Sequence, residues 1–410
     1  MLPLPLRSLI PLAGLLFSGV VAACFLAIIS SQRIALLQGA AAVQLLLFIQ
    51  WQTFGITVAK LGIDQAIFSV VSNDLRLRFS VADFLLTRTI PLALLAGAAI
   101  GWFISPIAGV VAAVTIVLDV LSLMFAADCN ARQRYSVNAI ANFLNYPLFF
   151  LLGFVLLFAG FGINGMYAAF LVSSIIKAAW IVARSDRPED ARLEQVQFTG
   201  STIMAAQQIG NYLLFKSDQI VLIALTTLLA GHSHLLGTER YLFLAKYPEL
   251  VSSGLVVLGL YVFPRMAIAD LETRHRLVFE APWLRWTYVA LGVGLLLGIG
   301  LYQLTWNRDQ SRSPAYWLTV VPFVAQAMLI LPANAITYAL VAKGYARTLV
   351  STLVAGLLSG SVLLIGAVLL KSAALLSCIV PLQLLVFVVF GHSRRIEPGI
   401  QKALHHKRQG

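Results

Sequence analysis

Apolar residues in this chain gather into long runs, and polar residues concentrate in the breaks between them. The runs fall at 8–29, 36–58, 83–104, 106–128, 139–160, 163–183, 202–229, 241–263, 283–304, 315–340, 347–370 and 373–391. Each is near the roughly 20 residues an α-helix needs to cross the hydrocarbon of a bilayer. The pattern predicts an all-α polytopic membrane protein with about 12 transmembrane helices. The first run contains Val21-Ala22-Ala23-Cys24, which matches a lipoprotein cleavage box. It continues past Cys24 to Ile29, however, and eleven more runs follow, so a retained first helix is expected.

The breaks are short, and none is long enough for a soluble catalytic domain. The most polar one, Arg184 to Glu194, lies near the midpoint and divides the spans into six plus six. The expected organisation is a six-helix bundle over 1–190, a cytoplasmic linker over 191–198, and a second six-helix bundle over 199–410 ending in a short basic tail. An even number of spans per half leaves both halves pointing the same way, as in a parallel repeat. Weak self-similarity agrees. Leu61-Gly62-Ile63, Asp74-Leu75, Arg76 and Arg78 are matched by Leu258-Gly259-Leu260, Asp270-Leu271, Arg274 and Arg276.

Basic residues set the orientation. With the amino terminus inside, most of the 29 Lys and Arg fall on the inner breaks, among them Lys60, Arg88, Arg134, Lys177, Arg184 and Lys343. Both termini are therefore expected in the cytoplasm.

Composition narrows the picture further. The chain is 60% hydrophobic and 11% charged, with a mean hydropathy of +0.87. A soluble protein of 410 residues has nowhere to hide so much apolar surface, and disorder is excluded by the same figures. The net charge of +12 reflects basic residues retained on inner loops, not a nucleic-acid partner. The three Cys have no ligand spacing, and the His are scattered. Neither a Walker sequence, nor HExxH, nor a nucleophile elbow occurs. No cofactor, metal or enzymatic activity is expected, and any transport must run on a gradient, on the membrane potential or downhill.

The informative chemistry lies inside the spans, where a polar side chain must face water or a partner. At 100° per residue, Gln207, Asn211 and Asp218 lie within about 40° of one another. Asn138, Asn142 and Asn145 lie within about 60°, beside Pro147. Thr115, Asp119 and Ser122 form a third stripe, and Thr53, Lys60 and Asp64 a fourth along the second span and its end. Gln326, Asn334 and Thr337 lie between and after Pro322 and Pro332. Such residues commonly join helices, for about 0.6 kcal/mol each. A hydrated central cavity between two six-helix halves accounts for all the stripes together. The pairs Gly97/Gly101, Gly294/Gly298 and Gly356/Gly360 are expected to be close-packing contacts.

Four segments carry a family resemblance. They are Lys60-Leu61-Gly62-Ile63-Asp64-Gln65-Ala66, Gly160-x-Gly162-Ile163-x-Gly165, Phe215-Lys216-Ser217-Asp218-Gln219-Ile220 and Ala342-Lys343-Gly344-Tyr345-Ala346-Arg347. In order and spacing the chain resembles the Wzx-type flippases, the polysaccharide-exporting branch of the multidrug/oligosaccharidyl-lipid/polysaccharide exporter superfamily. The resemblance implies a transporter in the bacterial inner membrane. It would move an undecaprenyl-pyrophosphate-linked oligosaccharide to the outer leaflet for O-antigen or exopolysaccharide synthesis, beside other polysaccharide assembly proteins; a monomer is expected, since two six-helix lobes already enclose a pathway. On that reading Asn138, Asn142, Asn145, Gln207, Asn211, Gln326 and Asn334 line the substrate cavity. Lys60, Arg88, Arg134 and Lys343 attract the pyrophosphate. Asp218, Asp119 and Asp64 are candidates for coupling to H⁺ or Na⁺, with Asp218 preferred. The alternatives are a drug/cation antiporter of the same superfamily and a membrane-embedded polysaccharide polymerase or ligase.

Overall fold

The computed structural model describes residues 40–73, 77–78, 81–185, 192–193, 201–228, 314–342, 346–370 and 372–395, with single positions 241, 244, 245 and 248. The expected spans at 8–29 and 283–304, and nearly all of 241–263, lie outside the described residues, as do Lys343, Gly294/Gly298 and the second copy of the repeat signal.

Helices make up almost everything described. In chain order they are α1 (Ala40–Ala59), α2 (Ile63–Asn73), α3 (Ala82–Phe103), α4 (Pro106–Ala131), α5 (Tyr135–Phe158), α6 (Gly162–Arg184), α7 (Ser201–Leu228), α8 (Pro314–Ala342), α9 (Ala346–Leu369) and α10 (Ala373–Arg395). Helices α3, α4, α5 and α6, Thr348–Leu369 of α9 and Ala374–Gly391 of α10 are long and apolar enough to cross a membrane. The protein is a multi-pass, all-α membrane protein. One exception was not expected. Leu77–Arg78 (β1) and Arg192–Leu193 (β2) form a two-residue parallel pair, with Leu77 opposite Arg192 and Arg78 opposite Leu193. It joins two breaks that the positive-inside pattern assigns to the same side of the membrane.

Local chemistry explains the helix ends. Ser105, in an extended conformation, accepts a hydrogen bond from the Ala108 N–H, and Pro106 supplies the first helical position of α4. Leu61 and Gly62 both take left-handed conformations and break α1 from α2. In α3 the backbone widens into a π turn over Leu85–Thr89, just before Pro91. Proline has no N–H for the helical ladder and crowds the preceding turn, so a local re-registration there is expected.

Two compact units are present. The first comprises Met1–Ile209, Ile223–Ser233 and Thr238–Lys246. In it α5 packs along α6, α3 along α4, and α4 along α6, with α1 against both α3 and α4. Its core holds Phe48, Ile100, Ala112, Phe149, Phe150 and Tyr167, continued by Ile63, Ile67, Phe84, Ile116 and Met124. The second comprises Gly210–Leu222, His234–Gly237 and Tyr247–Gly410. There α9 and α8 both pack against α10, around Leu214, Ile330, Ile336, Leu353, Leu384 and Phe387.

The outward faces show what solvent the helices meet. Leu358, Val362, Ile365 and Leu369 form one continuous exposed stripe along α9, and Leu151, Val155 and Phe158 do the same on α5. Trp102 is 86% exposed at the end of α3, and Phe158 and Phe161 are exposed at the turn between α5 and α6. In water these rows would be an aggregation hazard. In lipid they need no cover, and aromatic residues at a helix end suit the bilayer interface.

Two of the expected glycine pairs, Gly97/Gly101 and Gly356/Gly360, behave as close-packing devices. A Cβ on Gly97 would meet Gly109 O and Ala113, and one on Gly356 would meet Leu214, the Gln383 carbonyl and Phe387.

Candidate functional site

Three polar centres lie within the helices. The first is built on Asp119, midway along α4. Its Oδ1 accepts from Lys177 Nζ on α6 at 2.9 Å, and its Oδ2 accepts from Gln52 Nε2 on α1 at 2.9 Å. Asp119 is 5% exposed. Its expected companions take no part, because Thr115 donates to the Val111 and Ala112 carbonyls and Ser122 to the Leu118 carbonyl, all on their own helix. The sequence pattern places Lys177 among loop-retained basic residues. It instead sits inside α6, two turns from the end, with its ammonium committed to a carboxylate.

The second centre surrounds Asp64 at the start of α2, beyond the end of α1. The left-handed Leu61–Gly62 break turns the chain so that Lys60 Nζ reaches Asp64 Oδ2 at 2.9 Å, while Gln208 Nε2 on α7 donates to Oδ1 at 2.9 Å. Burial pushes the Asp64 carboxyl up. The Lys60 ammonium, with hydrogen bonds from Gln208, Lys60 and the Gln65 backbone, outweighs this and holds it below the ordinary carboxylate value. Gln208 was not among the expected residues. Its neighbour Gln207 was, and is also buried.

The third centre is an amide ladder where α4 meets α5. Asn138 Nδ2 donates to Asn130 Oδ1 at 3.3 Å, and Asn142 Nδ2 donates to both Asn138 Oδ1 and Asn138 O. Two of the three expected asparagines are therefore joined to each other. Asn145, one turn on, is buried, and its Oδ1 accepts no hydrogen bond among the described residues.

In the second unit, Gln326 Nε2 donates to the Phe215 carbonyl at 3.2 Å, and Asn334 Nδ2 donates back to Ile330 O. The Gln326 Oε1 and the Oδ1 of half-buried Asn211 accept nothing among the described residues. Asp218 is fully buried on α7. Arg88 is exposed in the π turn, and Arg134 is half-buried just before α5. Among the described residues, no group of three or more His, Cys, Asp or Glu could hold a metal ion.

The arrangement of helices is similar to that of several solved transporters. An outward-facing multidrug-resistance MATE family transporter of the MOP superfamily superposes with a TM-score of 0.64 at 10% identity, covering 95% of each chain. The lipid II flippase MurJ, in an inward closed conformation, gives 0.59 at 12% identity, covering 95% of this chain and 88% of MurJ. A point mutant of the Vibrio cholerae MATE transporter VcmN gives 0.56 at 14% identity, covering 97% of this chain and 95% of VcmN. The fold is the one these transporters share. No protein-family model matches the sequence, and no curated protein matches it by sequence. At these identities the likeness is one of fold, and this fold carries both a multidrug-resistance transporter and a lipid II flippase.

Proposed function

We propose that this protein flips a polyprenyl-pyrophosphate-linked oligosaccharide from the inner to the outer leaflet of the bacterial cytoplasmic membrane, for O-antigen or exopolysaccharide assembly. The observation that carries the reading is the set of amide oxygens within apolar helices, Asn145 Oδ1, Asn211 Oδ1 and Gln326 Oε1, that accept no hydrogen bond among the described residues. A buried acceptor without a donor is costly. Sugar hydroxyls supply such donors, and amides bind them without the tight fit that would slow release. The substrate's sugars and pyrophosphate cannot cross about 30 Å of hydrocarbon unaided, while its polyprenyl tail need never leave the lipid.

On this reading Asn138, Asn142, Asn145, Gln207, Asn211, Gln326 and Asn334 meet the sugar along its path, and Lys60, Arg88, Arg134 and Lys343 draw the pyrophosphate to its cytoplasmic mouth. The membrane potential alone favours outward movement of the anion by about 2.3 kcal/mol per charge per 100 mV. Asp218, fully buried on α7, is the preferred carboxylate for H⁺ or Na⁺ coupling.

Deletion followed by leaflet-resolved analysis of lipid-linked glycans tests the proposal. Completed repeat units should accumulate on the inner leaflet. Normal arrival outside with only polymer missing would instead identify a polymerase or ligase. Similarity to MATE transporters supports a second reading, a drug/cation antiporter, which predicts drug sensitivity on deletion with glycans unchanged.

A further inference from the structure

Both oxygens of Asp119 are already taken by donors from neighbouring helices. Lys177 brings an ammonium to Oδ1 and Gln52 turns its NH₂ end toward Oδ2, each at 2.9 Å. The three side chains come from α4, α6 and α1, all within the first unit. Asp119 is almost fully buried, and the Lys177 side chain is 12% exposed. Tyr146 on α5 is the other titratable group acting on the lysine.

A lone carboxylate in such surroundings would be driven to take up a proton or a small cation, because an isolated buried charge costs far more than a paired one. The orientation of Gln52 bears on which of these the site is built for. A site shaped to share a metal cation would turn the amide oxygen inward beside the carboxylate, since hard cations take oxygen ligands. Here the amide offers its donor end, so among the described residues each carboxylate oxygen meets a donor.

We propose that Lys177 is a tethered cation. Its ammonium occupies the position on Asp119 that a proton or Na⁺ would otherwise fill, so this carboxylate has its own built-in counter-ion and draws none from either aqueous phase. Lysine suits this role, being a compact charge with three donors on a long flexible stem. The consequence for transport rests on the flippase reading: cation coupling, where present, does not use Asp119, and the membrane potential acts on the substrate anion. The geometric assignment itself stands without that reading.

The test uses the full-length protein in detergent, with thermal unfolding followed in NaCl and in choline chloride at several pH values. Asp119→Asn should leave any Na⁺ response of the wild type unchanged. Lys177→Met should acquire a new response, with Tm rising on addition of Na⁺ or on acidification. Lys177→Met/Asp119→Asn should lose that response, and Lys177→Arg should behave as wild type. A wild-type cation response that disappears in Asp119→Asn overturns the proposal, and does so whether or not Lys177→Met can be purified. A folded Lys177→Met that is destabilised equally in every ionic condition also overturns it, leaving a purely structural ion pair. No glycan is involved in these readouts, so their failure is distinct from failure of the flippase reading.

Discussion

Gln383 of α10 lies directly across the bare Cα of Gly360 on α9, and its amide spans two helices. Its Oε1 accepts from the Ser217 hydroxyl on α7 at 2.8 Å, and its Nε2 donates to the Leu357 carbonyl at 3.4 Å. A Cβ at position 360 would fall on the Gln383 side chain itself. The glycine is thus what allows the amide to bridge its neighbours.

Gly360→Val should therefore displace Gln383 and break both bonds. Overpacking of this kind costs about 1–3 kcal/mol. A lowered Tm for the purified variant, partly restored in Gly360→Val/Gln383→Ala, is the expected outcome. An unchanged Tm in the single variant would mean that α9 and α10 move apart freely at this point.

The Gln208–Asp64 contact joins residues 144 positions apart. Hydrogen bonds to charged groups contribute about 1.5–3 kcal/mol. A double-mutant cycle of Gln208→Leu and Asp64→Asn should show coupling in that range, whereas two independent losses would simply add. The folded carboxyl titrates below its ordinary value of 3.8. The contribution of the ionised pair is therefore complete above the unfolded pKa and fades as pH falls through the lowered folded one. The Gln208→Leu penalty should be equal at pH 7 and at about pH 5.5, and should shrink only in stronger acid.

Much of the helical frame was legible before any coordinates. Span 106–128 corresponds to Pro106–Ala131 and span 163–183 to Gly162–Arg184, because Ser105-Pro106 and the glycines at 160 and 162 mark helix ends chemically. The pairings were not legible. Along a lipid-immersed helix both the lipid face and the packed face are apolar, so hydrophobic periodicity does not tell which side is buried. The positive-inside pattern assigns Lys177 to a loop, and Gln52 draws no notice beside Thr53, yet the two meet on Asp119. A lysine well inside an apolar run is the available signal, since such a charge requires a partner at membrane depth.

Asp218 is fully buried on α7. If it carries the coupling ion, Asp218→Asn should reduce delivery of repeat units to the outer leaflet far more than Lys371→Gln, in cells expressing equal amounts of each variant. Equal delivery by the two would remove Asp218 from the mechanism and leave the membrane potential as the driving force.

The amides allow structure and transport to be separated. Asn138 is held from both sides, donating to Asn130 and accepting from Asn142. Asn138→Leu orphans buried partners and should cost about 1–3 kcal/mol. Asn145 Oδ1 and Asn211 Oδ1 accept nothing among the described residues, so replacing either amide with leucine removes a desolvation cost and no acceptor bond. Asn145→Leu and Asn211→Leu should therefore keep or slightly raise the Tm while lowering flipping, as expected for residues whose donors come from a sugar. Thermal unfolding and leaflet-resolved glycan analysis on the same three variants check this together. Full flipping by both Asn145→Leu and Asn211→Leu would place the sugar pathway elsewhere, and would return these amides to the ordinary role of joining helices.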